Sequence, residues 1–425
     1  MNQDQSIKVA LNKQTDITKR QNRIRLNTSV ESVRYLLHQG LAFRGNDESE
    51  ESKNKGNFRE LVQTLANQNE DVRNVVLKNA PENCKWVSPD IQKELANYFA
   101  KIRLNSILEE IGGDVFSLLI DEASDVSDKE QMDVVLRYVD KLGLILERLV
   151  GIVHVKETSA TCLKSALEKL LVDIGLSFKQ VRGQCYDGAI GASCKRKDMI
   201  RETNRENVKR GISSGRISTG TGLNQDQSLQ RAGDTRWGSH YRTLSSLIQL
   251  FPSIVKKFDD RFNEVNSSLL IHMASFNPKN SFAAFNPESL LKLAEFYPQD
   301  FHSSKLMDLG HELRIYIENV RADKRFANLD GIADLAKKLV DTKKHLAFPV
   351  YQLLKLVLIF PVATASVERC FSAMNTVKCV LRNKMGDKFM SDCLICYVEK
   401  DIFSTITNDA VIDMFKKMSD REGKL

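Results

Sequence analysis

At 425 residues, with 42% hydrophobic and 28% charged side chains, the chain has the composition of a folded protein with a sizeable core. Its unbroken apolar runs, such as LVLIF at 356–360, are far short of the roughly 20 residues a membrane-spanning helix needs, which argues against a membrane function. The net charge of +7 leans toward polyanionic partners, and eight scattered cysteines suit reduced thiols rather than a secreted disulfide scaffold.

Residues 1–24 are polar, without an apolar signal core, and read as a disordered tail. Residues 25–110 read as helical. Apolar side chains recur at spacings of three and four: Val30, Val33, Leu36 and Leu37, then Leu61 and Leu65, then Ile91, Leu95, Phe99 and Ile102. A Gly- and charge-rich loop, GLAFRGNDESEESKNKGN, separates the first two helices.

The period changes at 111. IGGDVFSLLID, EQMDVVLRYVD (130–140) and LGLILERLVGIVHV (142–155) read as three consecutive strands. SATCLKSALEKLLVDIG (159–175) is an amphipathic helix with Leu163, Leu167, Leu170 and Leu171 on one face and Gly175 as its stop. VRGQCYDGA (181–189) is a fourth strand ending in Asp187-Gly188. Strand, strand, strand, helix, strand is the first half of an RNase H-like fold, in which the fourth strand lies beside the first. Catalytic groups in open α/β sheets sit at carboxyl ends of strands, so Asp121 and Asp187 are expected to meet. Read singly, each has a plainer explanation. Asp121 suits an N-cap or turn, Asp187-Gly188 is a common turn dipeptide, and Asp125 and Asp128 read as exposed turn residues.

Beyond the fourth strand, residues 195–210 carry seven basic side chains against three acids. Lys195, Arg196 and Lys197 lead this run, which reads either as a solvated helix or as a phosphate-contacting surface. Within DTRWGSHYR, Arg236 and Trp237 suit a base-stacking platform with phosphate contacts, or a tryptophan packing the start of a helix. Residues 259–345 read as helices broken at NPKN, NPES and YPQD. An apolar helix, a Pro-marked turn and a second helix follow over 349–381, and a last amphipathic pair spans about 387–404 and 408–420.

Glu368 in TASVERCFSAM is the best candidate for a third acid, or else a surface glutamate paired with Arg369. Three carboxylates brought together repel unless a hard cation such as Mg²⁺ or Mn²⁺ is shared between them. Such a site can activate water for phosphodiester displacement. Cys393 and Cys396 form the one CxxC, with no second pair or HxxxH to complete zinc ligation, so no zinc is expected and one buried helix face explains the spacing. Phe389, Cys393, Leu394, Tyr397, Val398 and Ile402 make an apolar stripe, open to self-association or to burial within the chain.

The stretches RLNTSVESVRYLLHQGLAFRGNDESEESKNKGNFRELV, SLLIDEASDVSDKEQMDVVLRYVD, QCYDGA, GLNQDQSLQRAGDTRWGSHYRTL and PVATASVERCFSAMNTVKCVLRNKMGDKFMSDCLICYVEKDIF resemble hAT-superfamily transposases. The subgroup is that of zinc-finger MYM-type protein 1-like and TTF-type zinc-finger proteins. The resemblance runs over nearly the whole chain from about residue 25. It implies a mixed α/β, mostly helical protein: an RNase H-like domain, a helical insertion and a C-terminal hAT dimerisation region. It matches the family's three acids to Asp121, Asp187 and Glu368, as catalytic and metal-binding residues, and the Arg-Trp pair near the transposon end to Arg236 and Trp237. It implies DNA as a partner, a homodimer through Phe389, Leu394, Tyr397, Val398 and Ile402, and a nuclear location.

The departures from the family pattern are physical. No Cys/His cluster precedes residue 25, where such relatives carry a BED- or TTF-type finger. The histidine- and cysteine-containing helical stretch expected after YDGA is missing, and the insertion is shortened. The expected organisation is therefore a tail (1–24), a helical region (25–110), a truncated RNase H-like half (111–200), a shortened helical insertion (201–345) and the dimerisation region with Glu368 (346–425). The expected function is that of a domesticated or remnant transposase that binds nucleic acid and dimerises, with its acids retained and little activity. A non-catalytic nuclear binding module, or a degenerate and poorly folded transposon product, are the alternatives.

Overall fold

The change of period at residue 111 is a change from helix to sheet in the computed structural model, which describes residues 3–49, 51–156, 159–186, 264–361 and 365–417, with Lys209 and Ser213. Numbering only helices longer than two turns, α1 is Gln3–Gln39, α2 Asn57–Gln68 and α3 Pro89–Ile111. Strands β1 (Phe116–Ser124), β2 (Glu130–Val139) and β3 (Ile145–His154) follow, then α4 (Ala160–Asp173) and β4 (Val181–Tyr186). After the undescribed stretch come α5 (Glu264–Ala274), α6 (Pro287–Glu295), α7 (Ser303–Ala322), α8 (Ile332–Asp341) and α9 (Val350–Ile359). The last three are α10 (Ala365–Val377), α11 (Asp387–Val398) and α12 (Asn408–Lys417).

Local chemistry sets these boundaries. Ser88 caps α3 by accepting from the Ile91 N–H, Pro89 occupies the first turn, and Gly112 ends the helix in the left-handed region at φ 58°. Ser159 caps α4 in the same way through the Cys162 N–H. Of the segment 1–24, expected as a tail, residues 3–24 are instead part of α1. Asn22, Arg25 and Leu26 are already buried, and the Arg25 guanidinium donates to the Val75 carbonyl at 2.7 Å, so tertiary contacts hold the helix before residue 25.

The chain divides into two compact units. The first joins residues 1–140, 146–184 and 365–425. Its mixed four-stranded sheet has the order β3-β2-β1-β4, so the crossover through α4 places the fourth strand beside the first, as the sequence predicted. One face carries Phe116, Leu118 and Ile120 with Met132, Val134, Leu136 and Tyr138, packed against Ile107 and Ile111 of α3 and Leu167 and Leu171 of α4. Fully burying a side chain of this kind is worth about 1.5–3 kcal/mol. Strand alternation sends Leu119, Asp121, Gln131, Asp133 and Val135 to the opposite face, where α10 packs on β1 and β2. Beside the sheet, α1, α3, α11 and α12 pack together.

The second unit joins residues 141–145 and 185–364 and is helical throughout its described part from 264 to 361. Asn286 and Pro287 start α6 as cap and first-turn proline, so NPES opens a helix. YPQD lies just beyond the end of α6.

Candidate active site

Asp121 is the sixth of the nine residues of β1, inside the strand rather than at its end. Its register partner on β2 is Asp133. Both side chains are buried, Asp121 at 6% exposure and Asp133 at 0%. One Asp121 oxygen accepts from the Glu122 N–H at 2.8 Å. Among the described residues, neither carboxylate oxygen of Asp133 has a hydrogen-bond partner. Burial first, and then the neighbouring charge of Asp121, push the Asp133 carboxyl well above the usual carboxylate range.

The roof over this pair is α10. Its buried residues Ser366, Val367, Cys370 and Met374 form the inner side. Ser366 hydrogen-bonds the Glu147 carboxylate, which also pairs with Arg137 of β2. Arg369 donates to the Ser366 hydroxyl at 2.7 Å. Burial, then the charges of Asp133 and Glu399, push the Cys370 thiol up, so it stays protonated and unreactive. A cavity of about 440 Å³ opens beside these residues, with Arg148, Glu399 and Asp401 on its polar wall.

Glu368 lies on the exposed side of α10, between buried Val367 and buried Cys370 in sequence. Asp187 lies outside the described residues, immediately after β4. So do Lys195, Arg196, Lys197, Arg236 and Trp237. Among the described residues no three or more metal-ligating side chains converge. The pair Asp121–Asp133 still fits a hard cation in donor type, because the Asp133 oxygens carry lone pairs that no donor among the described residues uses. Sequence reading missed Asp133. Its signal was an acid in phase with Gln131 and Val135 inside the apolar strand QMDVVLRYV.

Asp125 corrects an expectation. It is buried, not an exposed turn residue, and Lys378 reaches it at 2.6 Å from just beyond α10. Gln131 donates to it at 2.8 Å and the Ser127 and Lys129 N–H groups cap its other oxygen. Burial alone would raise this carboxyl, but the Lys378 contact and the other donors outweigh that and hold it below its ordinary value. Asp128 is exposed, as expected, in the left-handed region at φ 56°. The turn is further tied down by Lys129 on Asp387 at 3.1 Å and Ser127 on the Asn383 carbonyl at 2.9 Å.

The C-terminal stripe is largely occupied within the chain. Leu394 is 0% exposed in α11, which packs on α3, and Cys393 and Cys396 are buried on the same helix. Phe389 meets the Phe43 ring edge-on at 5.4 Å, and Tyr397 closes over Gly40. Val398 and Ile402 are half-buried. Behind them Glu399, buried, accepts from Arg103 at 3.0 Å, Arg148 at 2.9 Å and the Leu149 N–H at 2.7 Å.

With this geometry in place, two family models match the chain. Residues 1–195 match the model described as ZMYM1/FAM200, RNase-like domain. Residues 319–402 match the hAT family C-terminal dimerisation region. The first match contains Asp121, Asp133 and Asp187, and the second contains Glu368 and all of α8 to α11.

Proposed function

The chain is a hAT-derived, ZMYM1/FAM200-like protein with an RNase-like domain and a hAT dimerisation region, and from that premise we propose that it is a nuclear, dimerising nucleic-acid-binding protein that keeps the acids of a transposase with little of its catalysis. The observation that carries this reading is the placement of Asp121. It sits within β1, beside the strand that leads into Asp187, under the helix that bears Glu368. A divalent cation held by Asp121, Asp187 and Glu368 would polarise water and stabilise a leaving phosphate-ester oxygen. The chain's own part would be to supply carboxylate oxygens from a rigid sheet and to exclude bulk water through α10. Low activity is supported by the outward position of Glu368 and by the 6% exposure of Asp121, since such chemistry needs tight convergence on an accessible phosphate.

Homodimer formation is supported by the dimerisation-region match. Within the matched residues Leu346 and Val380 stand 78% and 76% exposed, while the α11 stripe is committed to the chain's own core. A second copy would therefore meet surfaces outside α11. The experiment is a melting curve with and without millimolar Mn²⁺ on wild type, Asp121→Asn and Asp187→Asn. A metal-dependent rise lost in both variants supports a shared cation site and justifies DNA-cleavage assays. Equal melts in all conditions favour the non-catalytic binding module. Light scattering at micromolar concentration separately tests the dimer, and a monomer there counts against it.

A further inference from the structure

A cleft of about 240 Å³ in the N-terminal helical region shares no lining residue with the Asp121 site. Among the described residues, four cations line it, Lys55, Arg59, Lys78 and Lys85, against a single carboxylate, Glu60. That carboxylate accepts the Lys55 backbone N–H at 2.9 Å and keeps its charge. Positive side chains outnumber negative ones around this concavity, so its lining favours an anion.

The backbone on both sides is built to hold those cations in place. On one side the loop after α1 closes on the start of α2. The approach of Gly45 and Gly56 is so tight that a Cβ on Gly56 would lie 2.1 Å from the Gly45 nitrogen. The Phe58 N–H donates to the Phe43 carbonyl at 2.9 Å, and Arg59 donates to the Glu48 carbonyl at 3.0 Å. Lys55 and Arg59 are thus fixed at a pinned junction. On the other side, Leu77 and Trp86 adopt left-handed backbone at φ 52° and 55°, which bulky residues rarely do. Each directly adjoins a cleft lysine, Lys78 and Lys85. Strain of this kind costs on the order of 1–3 kcal/mol per residue and persists where the surroundings demand it. The Trp86 ring is held edge-on against Phe415 at 5.4 Å, and Asn79 donates to the Arg73 carbonyl at 2.8 Å.

Size and wall chemistry narrow the occupant. The volume is below the roughly 300–1,000 Å³ of pockets that enclose a whole small ligand. It suits one phosphate with the edge of a sugar, whose carbons can rest on Leu77 and Val87. The planar fork of Arg59 and the point charges of the lysines suit phosphate oxygens. We propose that this cleft binds the phosphodiester backbone of a nucleic acid. The inference deepens the nucleic-acid-binding reading above and rests on it.

The test is fluorescence anisotropy of a labelled random-sequence DNA duplex against the full chain, over a series of salt concentrations. Three proteins are compared: wild type, the cleft variant Arg59→Gln/Lys85→Gln, and the control Lys164→Gln/Lys169→Gln on the exposed side of α4. Both variants remove the same charge, and cooperative melts confirm that both fold. The expected result is a fall of about 2 in the log–log salt slope for the cleft variant, near 0.9 per lost phosphate contact, with the control keeping the wild-type slope. Wild-type binding with an unchanged slope in the cleft variant, or an equal loss in the control, overturns the cleft and leaves DNA binding standing. A wild type that does not bind duplex overturns both. If inorganic phosphate then raises the melting temperature of wild type and not of the cleft variant, the cleft takes small anions and the nucleic-acid assignment is wrong.

Discussion

Asp133 faces Asp121 directly across the β1–β2 pair, and among the described residues it has neither solvent nor a hydrogen-bond donor on either oxygen. Directly opposed acids on one sheet face repel, and a buried polar group without a partner costs about 1–3 kcal/mol. Removing that cost should stabilise the protein. Asp133→Val places a β-branched apolar side chain among Val135, Leu119 and the inner side of α10, and should raise the thermal midpoint by an amount equivalent to about 1–3 kcal/mol. A midpoint unchanged or lowered in metal-free buffer would show that Asp133 has a compensating partner in solution.

Lys378 and Asp125 make the opposite case, a buried pair with its remaining lone pairs satisfied. Deleting one partner strands the other charge. Lys378→Met should destabilise by about 3–5 kcal/mol in chemical denaturation, and Asp125→Asn added to it should recover part of that loss. Strict additivity of the two substitutions would mean that the pair does not couple.

Much of this architecture was legible because periodicity is a local signal. FSLLIDEAS, EQMDVVLRYV and ILERLVGIVH all fold as strands, and Gly175 follows the end of α4 in the left-handed region, as its expected role as a stop requires. The pairing of Asp125 with Lys378 was not legible, since 253 residues separate them and a turn acid looks the same exposed or buried. Asp133 was hidden for a related reason, because only the strand register brings it opposite Asp121. The apolar stripe on α11 was correctly seen as apolar, but amphipathicity does not say which surface covers it, and here α3 and α1 do so.

Gly56 carries a prediction about the cleft. Its φ of 88° and its contact with Gly45 leave no room for a side chain. Gly56→Ala should cost more than about 1 kcal/mol by thermal melting, and it should weaken DNA binding along with stability by releasing the loop that places Lys55. Wild-type stability in this variant would show that the loop closes by another route.

Asp392 on α11 gives a pH-dependent prediction. It is 8% exposed, and burial raises its carboxyl from 3.8 to about 6, against the opposing effects of the Asn97 amide, Lys388 and Lys101. Asn97 approaches its two oxygens at 3.2 and 3.1 Å. An acid whose folded pKa lies above its unfolded value binds its proton more tightly when folded. Below about pH 4 both states are protonated and there is no penalty. As pH rises through about 6 the folded state must give up the proton, and stability falls by up to about 3 kcal/mol, the equivalent of about 2 pKa units. Asp392→Asn removes this window while keeping a hydrogen-bonding side chain beside Asn97. The difference between variant and wild type should therefore be near zero at pH 4 and should favour the variant by pH 7. Denaturant titrations at both pH values measure it, and a difference that stays constant between them would place the Asp392 carboxyl at its ordinary value.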